Sequence, residues 1–279
     1  MSPSTSSDPT VVRATKARIA AAFRGAAAED RAALVMYVTA GHPDPETTPA
    51  VLDMLAEEGV DVIEFGVPFS DPLADGPVIQ AASNRAIDRG VDMRWVLRTL
   101  GDFRARHDTA VVLFSYLNPI LRYGFDAFLS DASAAGADGV LLTDLPLGCD
   151  PAIERRFTES PLDLVRLVAP TSTPARAAAI ARASSGFVYY VSRTGVTGEQ
   201  SSLSSGLDEE VASLRHASAV PVAVGFGIST PDQAADVARV ADGVVVGSAL
   251  VRMLGERPLP ECAEFVRVLR RATRRGVPR

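Results

Sequence analysis

Eight short runs rich in Val, Ile and Leu, each followed by an amphipathic stretch of ten to fifteen residues, do most to limit what this chain can fold into. The runs are Ala33–Thr39, Val60–Gly66, Ala110–Ser115, Gly139–Thr143, Leu162–Val168, Phe187–Ser192, Pro221–Gly225 and Gly243–Val246. A run this short and this apolar reads as a strand covered on both faces, and helical patterns between such strands make βα units on a parallel sheet. Helices are expected at Thr47–Glu58, Asp126–Ala135, Thr173–Ala183 and Pro231–Val240, among others. Eight units suggest closure into a (βα)8 TIM barrel, and 279 residues suit one such domain of about 250. The competitor is an open doubly wound sheet, which usually carries a G-x-G-x-x-G turn after its first strand. Here that turn reads "TAGHPDPET". The chain is therefore divided into a disordered tail over 1–13 and one barrel over 14–279. An extra amphipathic helix, Ala14–Ala28, is positioned to close the N-terminal end.

Composition narrows the chemistry. A formal net charge of −6 argues against a nucleic-acid binder, whose domain normally shows a basic face. Six arginines between Arg267 and Arg279 follow a helical pattern and read as a solvated terminus. Cys149 and Cys262 are too few for a disulfide framework and suit a reducing, cytoplasmic setting. No apolar stretch approaches the roughly 18 residues of a membrane helix. The Ser-rich start lacks the apolar segment of a secretory signal, and a transit peptide is the alternative reading of that segment. Lys16 is the only lysine and precedes the first strand, so no core amine is available for a Schiff base. His42, His107 and His216 show no paired metal-ligand spacing, although a carboxylate-held magnesium stays open. No serine sits in a G-x-S-x-G elbow.

In a barrel the strand C-termini and the loops after them build the site. Within "VDVIEFGVPFSDPLADGP", Val60–Pro77, strand alternation points Glu64 inward with Val60 and Val62, while Ile63 and Phe65 face the helices. A buried glutamate either pairs with an arginine or, with its pKa raised by burial, serves as acid and base near neutrality. Asp71 and Asp75 follow in a Pro- and Gly-rich loop, where aspartates usually form turns or caps. A second constellation is glycine-based: "VGFGIST" after the seventh strand and "VVVGSAL" after the eighth lie in the loops where this fold commonly binds phosphate. Gly225 and Gly227 allow close backbone approach, and the helices beginning near Thr230 and after Ser248 offer free N–H groups. Tyr189 and Tyr190 face opposite sides of the sixth strand, so one reaches the interior. Tyr37, Phe114 and Tyr116 fall near strand ends and could wall a pocket for a flat apolar group.

Four stretches, "VIEFGVPFSDPLADGPVIQ", "VYYVSRTGVTG", "VGFGIS" and "VVVGSALV", in this order and spacing resemble the tryptophan synthase α chain family. The likeness runs from about Ala14 to the last helix. It implies a lyase subunit of tryptophan biosynthesis that cleaves indole-3-glycerol phosphate to indole and glyceraldehyde 3-phosphate, with no cofactor of its own. It implies Glu64 and Asp75 as catalytic residues and Tyr189 beside Glu64. Tyr37, Phe114 and Leu141 would wall the indole pocket. Gly198, Gly227, Gly247 and Ser248 would hold the phosphate, and Thr197 would close over the ligand and meet Asp75. The implied partner is a pyridoxal-phosphate β chain in an α2β2 assembly. His42 departs from the acidic residue more usual in its loop, and Phe114 from an aliphatic one. A regulatory binding subunit and an isomerase-type phosphate barrel are the alternatives; the first needs neither carboxylate, and the second calls for a different residue ending the second strand.

Overall fold

The computed structural model describes residues 17–192, 206–225 and 227–276. The strands are β1 (Ala33–Thr39), β2 (Val62–Gly66), β3 (Ala110–Ser115), β4 (Gly139–Leu142), β5 (Asp163–Val168), β6 (Val188–Val191), β7 (Val222–Gly225) and β8 (Gly243–Val246). They close into a barrel in chain order, every pair is parallel, and β8 returns to β1 with Ala33 opposite Gly243. The helices are α1 (Ala17–Ala28), α2 (Thr48–Glu57), α3 (Pro77–Asp88), α4 (Met93–Arg104), α5 (Leu117–Tyr123), α6 (Phe125–Ala134), α7 (Pro151–Glu159), α8 (Pro174–Ala183), α9 (Leu207–Ala217), α10 (Pro231–Val240), α11 (Ser248–Glu256) and α12 (Leu259–Ala272). The eight expected strands are all present. The tail expected over 1–13 lies outside the described residues.

Strand alternation sorts the core into two layers. Val35, Val62, Val112, Leu141, Val165 and Val245 fill the barrel, whereas Leu34, Ile63, Phe65, Val111 and Val140 pack under the helices. One expectation fails here. Val60 belongs to the helix-side layer, because β2 begins only at Val62 and strand alternation does not extend to the residues before it.

The alanine-rich α1 closes the N-terminal end, as its pattern predicts. Ile19 and Phe23 enter the barrel, with Phe23 5.5 Å from the Phe187 ring. Glycines at the strand starts make that possible: a Cβ on Gly243 would lie 2.9 Å from the Phe23 ring, and one on Gly139 3.2 Å from Ile19 Cδ1. Arg18 then donates to Asp138, a fully buried carboxylate that also accepts from Arg104 and from the Val111 amide. Burial alone would favour the neutral acid, and these donors oppose it.

The arginine-rich end is more engaged than its composition predicts. Arg267 holds Glu58 beyond α2, Arg270 donates to Gly59 O, and Arg275 donates to the Ala238 and Ala241 carbonyls at the end of α10. Carbonyls left over at a helix terminus attract such donors, so these side chains tie α12 and the segment after it to their neighbours.

Candidate active site

Glu64 is held by the register of β2. Tyr37 of β1 lies opposite it on one side and Val112 of β3 on the other, so the carboxyl projects into the barrel one residue pair below the C-terminal rim. It is 1 % exposed, its Oε1 has no hydrogen-bond partner, and no arginine reaches it among the described residues. Burial is the sole cause that pushes its pKa up to about 8. The carboxyl is therefore mostly protonated at pH 7, yet within about one unit of releasing its proton.

Two tyrosines frame it. The Tyr37 hydroxyl sits where a side chain at position 66 would be, 2.3 Å from a Cβ built on Gly66, and lies 3.3 Å from Thr39 Oγ1. Its ring meets Phe114 edge-on at 5.2 Å and 77°. Burial first, then the charges of Asp75 and Glu64, raise the Tyr37 hydroxyl, which places this residue within reach of both carboxyls. Tyr189 comes from the other side of the barrel, its hydroxyl raised by burial and then by Glu64. Tyr190 faces the helices and donates to Glu210. Gly225 has a different task from the one expected. Its missing Cβ, 2.4 Å from the Tyr189 hydroxyl, leaves room for that side chain rather than for a ligand.

The loop after β2 brings Asp75 to the same mouth. Gln80 in the first turn of α3 donates to Asp75 O at 2.8 Å, and the Ala74 amide donates to the Tyr116 hydroxyl at 3.0 Å. The Phe69 and Tyr116 rings pack at 5.1 Å, tilted by 39°. Burial raises Asp75 to about 6, opposed by the neighbouring Tyr116 hydroxyl. Asp71 is exposed and accepts from Ser70, so the fold assembles two of the three candidate carboxylates. Leu141 is fully buried on the inner face of β4. Thr143, two residues nearer the rim, has a buried hydroxyl without a hydrogen-bond partner and stands by Tyr116. The sequence reading missed it, although its spacing from Leu141 carries the signal.

The glycine loops divide in an unexpected way. The N-terminus of α10 is already satisfied, since Thr230 accepts from the Gln233 amide while the Ser229 and Thr230 amides donate to Gln233 Oε1. The Gln233 amide of this helix start is therefore occupied, contrary to expectation. No side chain caps α11, so the amides following Gly247 and the exposed Ser248 face the mouth with helix-dipole support. Gly247 packs against Tyr37, its would-be Cβ 3.3 Å from that residue's Cβ, which joins this helix start to the Glu64 neighbourhood. Gly227 is exposed with φ of 78°, a backbone shape that favours glycine. Thr197 and Gly198 lie outside the described residues.

His42, a departure from the pattern of its loop, is buried with Nε2 2.8 Å from Val251 O of α11. Burial lowers its pKa, so it holds α11 as a neutral donor. A cavity of about 570 Å³ opens at the opposite face, between Phe23, Arg24, Arg215 and Arg275. Its size does not mark the chemistry, because strand C-termini lie at the other end of the barrel. Among the described residues, no group of three His, Cys, Asp or Glu is placed to hold a metal, and no helix is long and apolar enough to cross a membrane.

Comparison with known proteins gives one consistent answer. A tryptophan synthase alpha chain family model matches residues 23–273. The alpha chain of Geobacter sulfurreducens is 48% identical over 259 residues, covering 91% of this chain and 98% of that one. The Novosphingobium aromaticivorans alpha chain is 47% identical over 228 residues, with 81% and 86% covered. Among solved structures, a Mycobacterium tuberculosis tryptophan synthase chain superimposes with a TM-score of 0.84 at 39% identity, covering 93% of this chain and 99% of that one. Matched across nearly its whole barrel in both sequence and shape, this chain belongs to the tryptophan synthase alpha chain family.

Proposed function

We propose that Glu64 and Asp75 carry the lyase reaction of this family in the present chain, cleaving indole-3-glycerol phosphate to indole and glyceraldehyde 3-phosphate. The observation that carries the reading is a carboxyl with an unpartnered Oε1, buried at the mouth of the barrel and poised near neutrality. Protonated Glu64 delivers its proton to the indole carbon that bears the glycerol side chain. A new C–H bond forms, and the ring nitrogen becomes positively charged. The bond from that carbon to the side chain then breaks, and its electron pair restores the aromatic ring. The hydroxyl on the departing carbon becomes the aldehyde carbonyl as its proton passes to the Glu64 carboxylate, so the residue ends as it began. A group that must both give and take a proton works best with a pKa near the working pH.

Asp75 accepts a hydrogen bond from the indole N–H. Its carboxylate stabilises the positive charge that develops on the ring after protonation, and such fixed electrostatic support is often the larger part of catalysis. Tyr37, Phe114 and Leu141 wall the ring, with Tyr189 beside Glu64. The uncapped start of α11, with Gly247 and Ser248, takes the phosphate, Gly227 and Gly198 complete the cradle, and Thr197 closes over the ligand. The chain needs no cofactor for these steps.

The partner in this reading is a pyridoxal-phosphate β chain that receives the indole within an α2β2 assembly. In this reading Leu73, 95% exposed in the loop that carries Asp71 and Asp75, is an apolar side chain available to that partner at the mouth. The unpaired thiols of Cys149 and Cys262 are in keeping with a cytoplasmic protein. The deciding experiment supplies indole-3-glycerol phosphate and follows indole release, with and without a β chain. Release in either mixture, abolished by Glu64→Gln, is expected; no indole from the parent protein in both mixtures refutes the function, and full turnover by the variant refutes the residue.

A further inference from the structure

We propose that Tyr116 is a positioning residue, whose hydroxyl ties the loop after β2 to the end of β3 and orients the Asp75 carboxylate at the barrel mouth. The inference rests on the reading of Asp75 given above. Its observations are separate from that reading. Tyr116 follows β3 directly and is 5% exposed, so its ring is fixed by the barrel rather than by the loop. The Phe69 ring, from the other end of the loop, packs against it at 5.1 Å, tilted by 39°. The hydroxyl oxygen accepts the Ala74 amide at 3.0 Å.

A phenol has one proton to donate, and with its oxygen engaged by Ala74 that proton turns to an acceptor on the far side. The Asp75 carboxylate stands there as a charged acceptor and raises the Tyr116 hydroxyl, whereas the nearby Thr143 hydroxyl lowers it. One side chain thus grips consecutive residues of the loop, holding the backbone at 74 and aiming the carboxylate at 75. Gln80 grips the same loop from α3 through Asp75 O, and among the described residues this leaves Tyr116 as the side chain that acts on the carboxylate itself.

A donor to an ionised carboxylate favours its charged form. Asp75 must be ionised to accept from the indole N–H, so loss of the Tyr116 hydroxyl has a signature that simple loosening of the fold lacks. The titratable groups facing Asp75 among the described residues are Tyr37 of β1 and Tyr116 after β3; Thr143 after β4 stands beside Tyr116, and Glu64 of β2 acts on Tyr37 alongside Asp75. The Tyr37 hydroxyl is not free to replace the lost donor, since it is paired with Thr39 over Gly66.

The test is Tyr116→Phe, which keeps the ring and its packing on Phe69. Steady-state cleavage of indole-3-glycerol phosphate is measured from about pH 5.5 to 9 on the parent, Tyr116→Phe, Asp75→Asn and the double variant, all with the same β chain. For Tyr116→Phe, kcat/KM falls by about ten- to a hundred-fold at neutral pH, the scale of one hydrogen bond to a charged group. The acid limb of its profile moves to higher pH, so part of the loss is recovered in alkali. In the Asp75→Asn background the same change adds little. A parent-like profile for Tyr116→Phe overturns the inference, as does a uniform loss that persists undiminished without Asp75. If Asp75→Asn itself turns over normally, the role of Asp75 falls, and Tyr116 with it.

Discussion

Replacing Glu64 with glutamine tests the physical basis of the site through stability as well as turnover. Glutamine keeps the shape of the side chain and removes its proton equilibrium. The carboxyl moves from its ordinary value of 4.5 to about 8 in the folded barrel, with burial as the whole cause. Below the lower value it is protonated in both folded and unfolded chains and its ionisation costs nothing. Between the two values the unfolded chain releases its proton while the folded one retains it, so rising pH favours unfolding. Above about 8 both forms are ionised and the penalty is constant. The gap of 3.5 units (8 − 4.5) corresponds, at about 1.4 kcal/mol per unit, to about 5 kcal/mol. A buried glutamine amide without partners costs about 1–3 kcal/mol instead, at every pH. The melting midpoint of Glu64→Gln should therefore gain on the parent as pH rises from about 5 to 8.5, by on the order of 10 °C for a domain of this size. Thermal melts of both proteins in one buffer series measure it. Parallel curves would falsify the claim that burial holds this carboxyl protonated, and the acid/base argument would lose its footing.

Other perturbations address the rest of the site. Asp75→Asn should slow cleavage by about 10²- to 10⁴-fold, and by no more than Glu64→Gln, in steady-state indole release; a larger loss than the glutamate change would reverse their ranking. Gly225→Ala drives a Cβ into the Tyr189 hydroxyl and ring and to within 2.8 Å of Val245 Cβ, and should destabilise the barrel by about 1–3 kcal/mol. Tyr189→Phe, which removes only the hydroxyl, should recover no more than part of that loss; denaturation of the single and double variants checks this, and parent-like stability for Gly225→Ala would refute the crowding. Ser248→Asp puts a negative charge at the uncapped start of α11 and should raise KM for indole-3-glycerol phosphate at least ten-fold while kcat changes less; an unchanged KM would remove the phosphate from that helix.

The sequence by itself determined the barrel and the direction of its key carboxylate. Eight apolar runs can be buried together only as a parallel sheet wrapped by helices, and a strand period of two points Glu64 inward without knowledge of any neighbour. The same local rule failed at Val60, where no strand hydrogen bonds impose it. Composition could not distinguish a buried glutamate paired with an arginine from one left alone, since the choice depends on which side chains converge from other strands. The tertiary structure made that choice: Tyr37 and Val112 flank Glu64, and among the described residues no guanidinium enters. It also assigned the glycines, giving Gly66 and Gly225 to tyrosine hydroxyls, Gly139 and Gly243 to the plug of α1, and leaving the start of α11 open where Gln233 had closed that of α10. A glycine in a sequence announces only that space is needed. What fills the space comes from residues tens or hundreds of positions away, and only closure of the barrel brings them there.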